Sequence, residues 1–476
     1  MSDTTKKAIW EAKDEVFAAE EFLNEQVPPR LQRSTWSQIW LWCGFGFFVT
    51  GLHVGGYLSD AMLLGGMPPL QAAFTGFLGM AILWALTSSL GVPAQQSGFN
   101  MALLATQAYG YRGRALPMGI MAIMTLAWFA SITGMLGDIW GLFVGNPSGI
   151  VVLDPAYFGQ PWIPPVTLEV FITCFIWGII FTINAWRGVN AIEIIAKYTT
   201  PILFAAAIVV GLILLNNTGM GEFFNRANQL TGLPQGDAIT FVVGSWIAGC
   251  IMGADYYRFN KSKKAVFVCA AACFLITNPV LHIVGYIGQV TEGNFNYFIW
   301  IFQLGPIFAF FACVGWTLHI WTTNNAELYC HTIYASSVLR AVNLKIRRHK
   351  ILVTMGVVGT IIASTAFYQM FYVDFINILG SLCPVVAGPI IADYYFCRKE
   401  KYRQELLDAQ PNFRWCGIIS LAIGMGVAFL FLQTGVPFGL PGGILALVIT
   451  IAVYVIMYKT FMPDRQVDDE LMASLK

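Results

Sequence analysis

Charge is what this sequence has least of. Among 476 residues, Lys and Arg number 27 and Asp and Glu 26, so 11% of the chain is charged. A soluble domain carries about 25% charged residues. A soluble chain of this length, enough for roughly three domains, needs far more polar surface than that. With 57% hydrophobic residues and a mean hydropathy of +0.64, soluble enzymes, nucleic-acid binders and disordered scaffolds are excluded. No C-x-x-C pair occurs among the ten cysteines. Cys43, Cys250, Cys269 and Cys313 read as small buried hydrophobes, not as metal ligands or disulfide partners. A G-x-x-x-x-G-K-[ST] phosphate loop is missing, as is any soluble domain to hold one, so the chain alone does not pump with ATP. The H-E-x-x-H metal motif is also missing. Long loops and low-complexity segments are lacking. The longest expected external connection, 146–164, is rich in Pro and Gly and has one acidic residue, Asp154.

What the chain has is apolar runs. A helix that crosses a bilayer needs ~20 mostly apolar residues. Twelve such spans are expected: 36–59, 68–91, 115–143, 165–186, 196–216, 237–256, 264–289, 299–338, 350–370, 372–396, 413–433 and 440–462. The eighth is too long for one straight crossing and is expected to continue past the membrane face. Continuous runs of this length argue against a β-barrel, whose strands alternate over about 10 residues. Residues 1–35 read as a charged cytoplasmic tail and not as a secretory signal peptide, and 463–476 as a second cytoplasmic tail.

The few basic residues give an orientation. With the N-terminus inside and twelve crossings, 26 of the 27 fall inside. They come from the tail (Lys6, Lys7, Lys13, Arg30, Arg33), from the even-numbered connections (Arg112, Arg114, Arg187, Lys197, Arg258, Lys261, Lys263, Lys264, Arg340, Lys345, Arg347, Arg348, Lys350, Arg398, Lys399, Lys401, Arg403, Arg414) and from Lys459, Arg465 and Lys476. Only Arg226 falls outside. A wrong span count would scramble this split. A multi-pass cell-membrane protein with both termini cytoplasmic is expected, the bacterial inner membrane being the fitting location.

Spans 1 and 6 look interrupted. Span 1 runs Cys43-Gly44-Phe45-Gly46-Phe47-Phe48-Val49-Thr50-Gly51-Leu52-His53-Val54-Gly55-Gly56, and span 6 has Gly244, Gly249 and Gly253. Glycine also serves close helix packing. Yet the two lie five spans apart, which suggests two inverted five-span repeats, 36–216 and 237–396, with substrate held between broken helices at the midplane. Spans 11 and 12, 413–462, are then an addition, and 36–462 is one integral domain.

On span 8, His319, Thr322 and Thr323 stand at i, i+3 and i+4, hence on one face. Two hydroxyls and a freed carbonyl are neutral oxygen ligands that suit an alkali cation. Threonine in membrane helices also bonds its own i−4 carbonyl.

Around these residues the sequence resembles the nucleobase:cation symporter-1 family of cytosine, purine, allantoin and hydantoin permeases, and cytosine permease most. Ile320-Trp321-Thr322-Thr323-Asn324 with Leu328-Tyr329 is similar to the family's span 8. Val242-Val243-Gly244-Ser245 with Ala254-Asp255 and Arg258-Phe259 is similar to span 6. Pro384, Gly388 and Ile390-Ile391-Ala392-Asp393-Tyr394 resemble span 10; Tyr109-Gly110, Gly113 and Pro117 resemble the segment before span 3; Trp128-Phe129 resembles the span 3 site.

The resemblance implies an all-α fold of five plus five spans and two extra helices, and secondary-active symport of a small neutral heterocycle with sodium. The implied sodium ligands are the carbonyls of Gly44, Phe47 and His319 and the hydroxyls of Thr322 and Thr323. Because some members use protons, a proton-coupled symporter for allantoin, a hydantoin or a pyrimidine vitamin precursor stays open. So does a passive facilitator, although the threonine pair speaks against that. The implied heterocycle lies between Trp128 and Trp246, on whose faces a flat ring can stack, with Ser245, Thr125, His319 and Asn324 as polar contacts at its rim.

The rim departs from cytosine permease. Thr125 replaces a glutamine, Ala248 a serine, Trp246 a phenylalanine and His319 an asparagine, while hydantoin-type members have a glutamine at the position of Ile132. His319 is read as a substrate contact, a proton carrier being the other reading. Trp40, Trp42, Trp162, Trp186 and Trp316 are read as packing only. Asp255 and Asp393 are read as gate or helix-end contacts of Arg258 and Arg398, and Asn278-Pro279 as a kink in span 7. His53, Asp138 and Glu327 are polar residues within spans with no assigned role. Neither a cofactor nor an obligate protein partner is expected; an enzyme would need a converging acid-base pair, for which His319 and Glu327, about two turns apart, are the one weak candidate, and the short tails speak against a sensor. Partners are the heterocycle and the lipid bilayer, with no nucleic acid. Sites built of Trp, Thr, Asn, His and carbonyls suit an uncharged ring and one monovalent cation.

Overall fold

Span 1 breaks after its first cluster of glycines. Its first half, Thr35–Gly46, ends at Phe47, whose backbone leaves the helical region (φ −82°, ψ 68°). The second half, Thr50–Asp60, resumes with a bend of 46°. The computed structural model describes residues 22, 24–60, 65–161, 163–186, 189–436 and 439–460, apart from the side chains of Asp60, 189–196 and Asp408. Lys6, Lys7, Lys13, Trp162, Arg187, Arg465, Lys476, most of the N-terminal tail and all of 463–476 therefore lie outside the described residues.

Among the described residues, ten helices are long and apolar enough to cross a bilayer, and the bent pair of span 1 makes eleven. The expected ninth span is a shorter helix, Arg348–Ala363, of 16 residues. At 1.5 Å per residue it reaches only ~24 Å. Its boundary with span 10 falls at Ser364–Ala366, earlier than expected, because Ala366 adopts the left-handed region at φ 55° and ends the run. Span 8 is the opposite case. Its helix, Pro306–Ala341, has 36 residues and at ~54 Å outruns the bilayer. The expected 299–338 run divides at Gly305 (φ 117°), with a separate short helix, Tyr297–Phe302, ahead of it. The 146–164 connection holds a small antiparallel pairing of Val151–Leu153 with Val166–Thr167.

Span 6 corrects the sequence reading, for it is one unbroken helix, Gln235–Tyr257. Its glycines serve contact. A Cβ on Gly244 would stand 2.0 Å from the Ile376 carbonyl of span 10, and one on Gly380 of span 10 would stand 2.1 Å from the Thr240 carbonyl of span 6. Reciprocal glycines let the two backbones touch without interrupting either helix there. In span 7 the irregularity is a π-turn, Ala272–Thr277, directly before Asn278-Pro279. Proline has no N–H and crowds the preceding turn, and a π-turn takes up the misfit. The Thr277 hydroxyl donates to the Ala272 and Cys273 carbonyls there, at 2.9 and 3.0 Å.

The packing has the exchange symmetry of an inverted repeat. Span 1 lies against spans 5 and 7; span 6 lies against spans 10 and 2; spans 3 and 8 lie against each other. Adding five to each member of the first set gives the second, modulo ten, and the pair 3 and 8 maps onto itself. Spans 11 and 12 pair together on the flank of span 10.

The basic connections meet at one end of the bundle. Arg33 bridges to Asn260, Lys263 pairs with Glu400 at 2.7 Å, and Arg398 donates to the Gln107 carbonyl at 2.9 Å. Between spans 2 and 3, at this end, lies a fully buried helix, Met101–Tyr109, too short to register as a span.

Candidate substrate and cation site

Spans 3 and 8 run antiparallel, and two hydrogen bonds fix their register. Thr125 Oγ1 lies 3.0 Å from His331 Nδ1, and Asn324 Nδ2 donates to Thr133 Oγ1 at 3.0 Å. Trp128 falls between these rungs on span 3. Its ring meets Phe48 edge-on with centroids 6.3 Å apart, and Phe48 meets Trp246 of span 6 in the same way at 5.8 Å. Phe48 belongs to the break in span 1, so the two indoles and the broken segment share one aromatic cluster. Tyr372 and Phe375 of span 10 close it from the far side, at 6.4 and 5.4 Å from Trp128, and Phe274 of span 7 meets Trp246 at 5.8 Å. Both indole N–H groups are buried and make no hydrogen bond within the protein. In a low-dielectric interior such donors call for an acceptor.

The other expected rim groups are placed differently. Ser245 donates to the Val242 carbonyl at 2.7 Å, and Thr125 to the Met121 carbonyl at 2.9 Å, so both hydroxyl protons serve their own helices. Asn324 uses its amide nitrogen to tie span 8 to span 3, and its Oδ1 has no partner. The His319 ring lies among Phe47, Phe298 and Trp316, at 4.4, 6.0 and 6.2 Å, and makes no ring contact with either indole among the described residues. Neither of its ring nitrogens is bonded.

Of the cation ligands inferred from the sequence, one pair meets across spans 1 and 8. Thr322 Oγ1 stands 3.4 Å from the Gly44 carbonyl. Thr323 is 4% exposed and its hydroxyl has no partner, so it does not bond its own i−4 carbonyl. Phe47, at the end of the first half of span 1, packs its ring on His319. Two hydroxyls and helix-end carbonyls fit a monovalent cation. Among the described residues, no group of three His, Cys, Asp or Glu could hold a metal ion.

At the basic end, Asp255 accepts from the Tyr334 hydroxyl at 2.6 Å and from the Met101 N–H at 2.9 Å, and so locks spans 6 and 8 to the buried helix. Arg258 reaches Tyr329 at 3.3 Å. Asp393 pairs with Arg398 at 3.1 Å and accepts from Tyr402 and Tyr454 at 2.6 and 2.8 Å. Burial, then the Asp393 carboxylate, holds the Tyr402 phenol well above its usual range, so it stays a donor. Asp138 of span 3 accepts from Tyr368 and Gln369 at the start of span 10. His53 packs between Phe295 and Tyr372 at 4.3 and 4.8 Å. Sequence reasoning missed Phe48, Tyr372 and Phe375, and the only signal for Phe48 was its place in the break.

A family model described as "Permease for cytosine/purines, uracil, thiamine, allantoin" matches residues 28–449. The chain belongs to this cytosine/purine permease family. The permease is 23% identical over 405 residues to the cytosine permease of Escherichia coli (strain K12), covering 85% of this chain and 88% of that one. It is 25% identical over 415 residues to the hydantoin permease of Microbacterium maritypicum, covering 81% and 80%. Its fold is that of a nucleobase-cation-symport-1 family transporter solved in a closed conformation with bromovinylhydantoin bound (TM-score 0.75, 18% identity, 94% of this chain and 98% of that one). The same transporter facing inward gives a TM-score of 0.70 at 22% identity, over 92% and 94%. The permease is thus an all-α membrane transporter and not an enzyme.

Proposed function

We propose that this permease is a secondary-active symporter that imports a small nucleobase-like heterocycle with sodium, its basic end facing the cytoplasm. The observation that carries this reading is the double duty of the break in span 1. Gly44, before the break, offers its carbonyl beside Thr322, while Phe48, within it, touches both Trp128 and Trp246. A cation held by Gly44, Phe47, His319, Thr322 and Thr323 orders the same segment that walls the heterocycle site. Each ligand then strengthens binding of the other, which is a coupling free energy of typically ~1–3 kcal/mol. The heterocycle stacks on the indoles, span 10 closes over it, and the repeats rock to open the basic end. The excess of Lys and Arg at that end sets the orientation.

Thermal stabilisation of the purified protein tests the reading with a panel of nucleobases, hydantoins, allantoin and pyrimidine vitamin precursors, each with and without sodium. Stabilisation by at least one heterocycle, larger in sodium than in potassium, is expected. If no heterocycle stabilises the protein in either salt, the substrate class is wrong; equal stabilisation in both salts removes the sodium site.

A further inference from the structure

Among the described residues, the buried acidic side chains inside the bundle have partners, with one exception. Asp138, Asp255 and Asp393 each accept at least two hydrogen bonds. Glu327 of span 8 is 3% exposed, and its Oε2 accepts none. An unpaired carboxylate at such depth is costly and marks a functional position in a membrane protein.

The register places Glu327 at the level of the indoles. It lies between Asn324 and His331, which bond Thr133 and Thr125 of span 3, and Trp128 lies between those two threonines. Its direction follows from its helical neighbours. Asn324 and His331, at i−3 and i+4, reach span 3; Cys330 and Tyr334, at i+3 and i+7, reach Tyr256 and Asp255 of span 6. Residues at these spacings share a helix face, so Glu327 occupies the strip turned toward the space between spans 3 and 6. Those spans carry Trp128 and Trp246. The Trp246 ring folds down over Gly249, toward the Cys250–Tyr257 end of its helix and hence toward Glu327.

We propose that Glu327 is part of the heterocycle site and selects a substrate that is cationic, or that becomes so on binding: an amino-substituted nitrogen heterocycle of the aminopyrimidine type, not a neutral lactam ring such as uracil or hydantoin. This rests on the reading that the heterocycle binds at Trp128 and Trp246. A carboxylate takes the paired N–H groups of a protonated amidine edge in two parallel, charge-assisted bonds, while the indole faces favour a positive ring. The buried charge thereby finds its counter-charge in the substrate, a departure from the uncharged ring that the composition suggests.

The test is calorimetric binding in sodium of 4-aminopyrimidine, 2-aminopyridine, uracil and hydantoin to the full-length protein and to Glu327→Gln and Glu327→Asp. The wild type is expected to bind the amino-heterocycles in preference to the lactams. Glu327→Gln is expected to lose roughly tenfold or more of that affinity with lactam binding not weakened, and Glu327→Asp to keep the preference for charge. Sodium-dependent thermal stabilisation reports that each variant is folded; should Glu327→Gln fail to fold, the ligand preferences of the wild type and of Glu327→Asp decide. Lactam binding without amino-heterocycle binding, or an unchanged amino-heterocycle affinity in Glu327→Gln, overturns the role of Glu327 and leaves the Trp128/Trp246 site standing. Binding of neither class overturns both.

Discussion

Replacing Trp128 with alanine removes an indole that Phe48, Tyr372 and Phe375 all meet edge-on. Ring pairs of this kind contribute about 0.5–1.5 kcal/mol beyond the area they bury. Trp128→Ala is therefore expected to weaken heterocycle binding roughly tenfold, and Trp128→Phe to weaken it less, as read by calorimetry. Phe48→Ala should act differently: with the broken segment of span 1 no longer reaching the indoles through a side chain, the sodium-induced gain in heterocycle affinity is expected to shrink toward one. The sequence singles out Trp128 and Trp246 because their neighbours match a family pattern, and the structure brings both rings against Phe48. Phe48, Tyr372 and Phe375 were not legible, because with 36 Phe and 18 Tyr in the chain hydropathy does not separate a ring in a site from a ring in a core. The direction of the His319 ring was not legible for a related reason. Its spacing sets it on the face of Thr322 and Thr323, but a helix face is wide, and the ring turns to Phe47. Glu327 was visible as a residue and not as part of a site, since its level depends on the register of spans 3 and 8.

Helix contacts in this bundle are written in glycine. A Cβ on Gly46 of span 1 would stand 1.9 Å from Thr277 Oγ1 and 2.8 Å from the Cys273 backbone, whereas one on Gly119 would meet nothing within 4 Å. Gly46→Ala is expected to destabilise the detergent-solubilised protein by about 1–3 kcal/mol, seen as a lower Tm, and Gly119→Ala to leave it unchanged. The glycines of spans 1 and 6 look alike in sequence, and both sets serve packing. The break in span 1 falls on Phe47, Phe48 and Val49, residues that no glycine pattern marks, so the expected break in span 6 followed from composition that close packing explains equally well. The π-turn before Asn278-Pro279 was legible in place but not in kind, because proline dictates that the ladder must yield and not how.

At the scale of the whole molecule, hydropathy was enough to show an all-α membrane protein of many spans, because a bilayer imposes length rules that a soluble core does not; the expected twelve exceed the ten or eleven found among the described residues, since the ninth is a helix of 16 residues. The short buried helix Met101–Tyr109 escaped for the same reason, being apolar but too short to span. If the basic end is cytoplasmic, Tyr157→Cys, at a position 88% exposed in the opposite connection, is expected to react with a membrane-impermeant maleimide on intact cells. Lys261→Cys at the basic end should react only after permeabilisation. The reverse pattern would contradict the orientation.

Uptake by purified protein in liposomes bears most directly on the account as a whole. A heterocycle found to bind is supplied outside with sodium, and the lumen holds potassium. Accumulation above the external concentration is expected to follow the imposed sodium gradient, to be lost in Thr323→Ala and to be retained in Thr323→Ser. Uptake that only equilibrates, or accumulation that ignores the sodium gradient and survives Thr323→Ala, would contradict sodium symport.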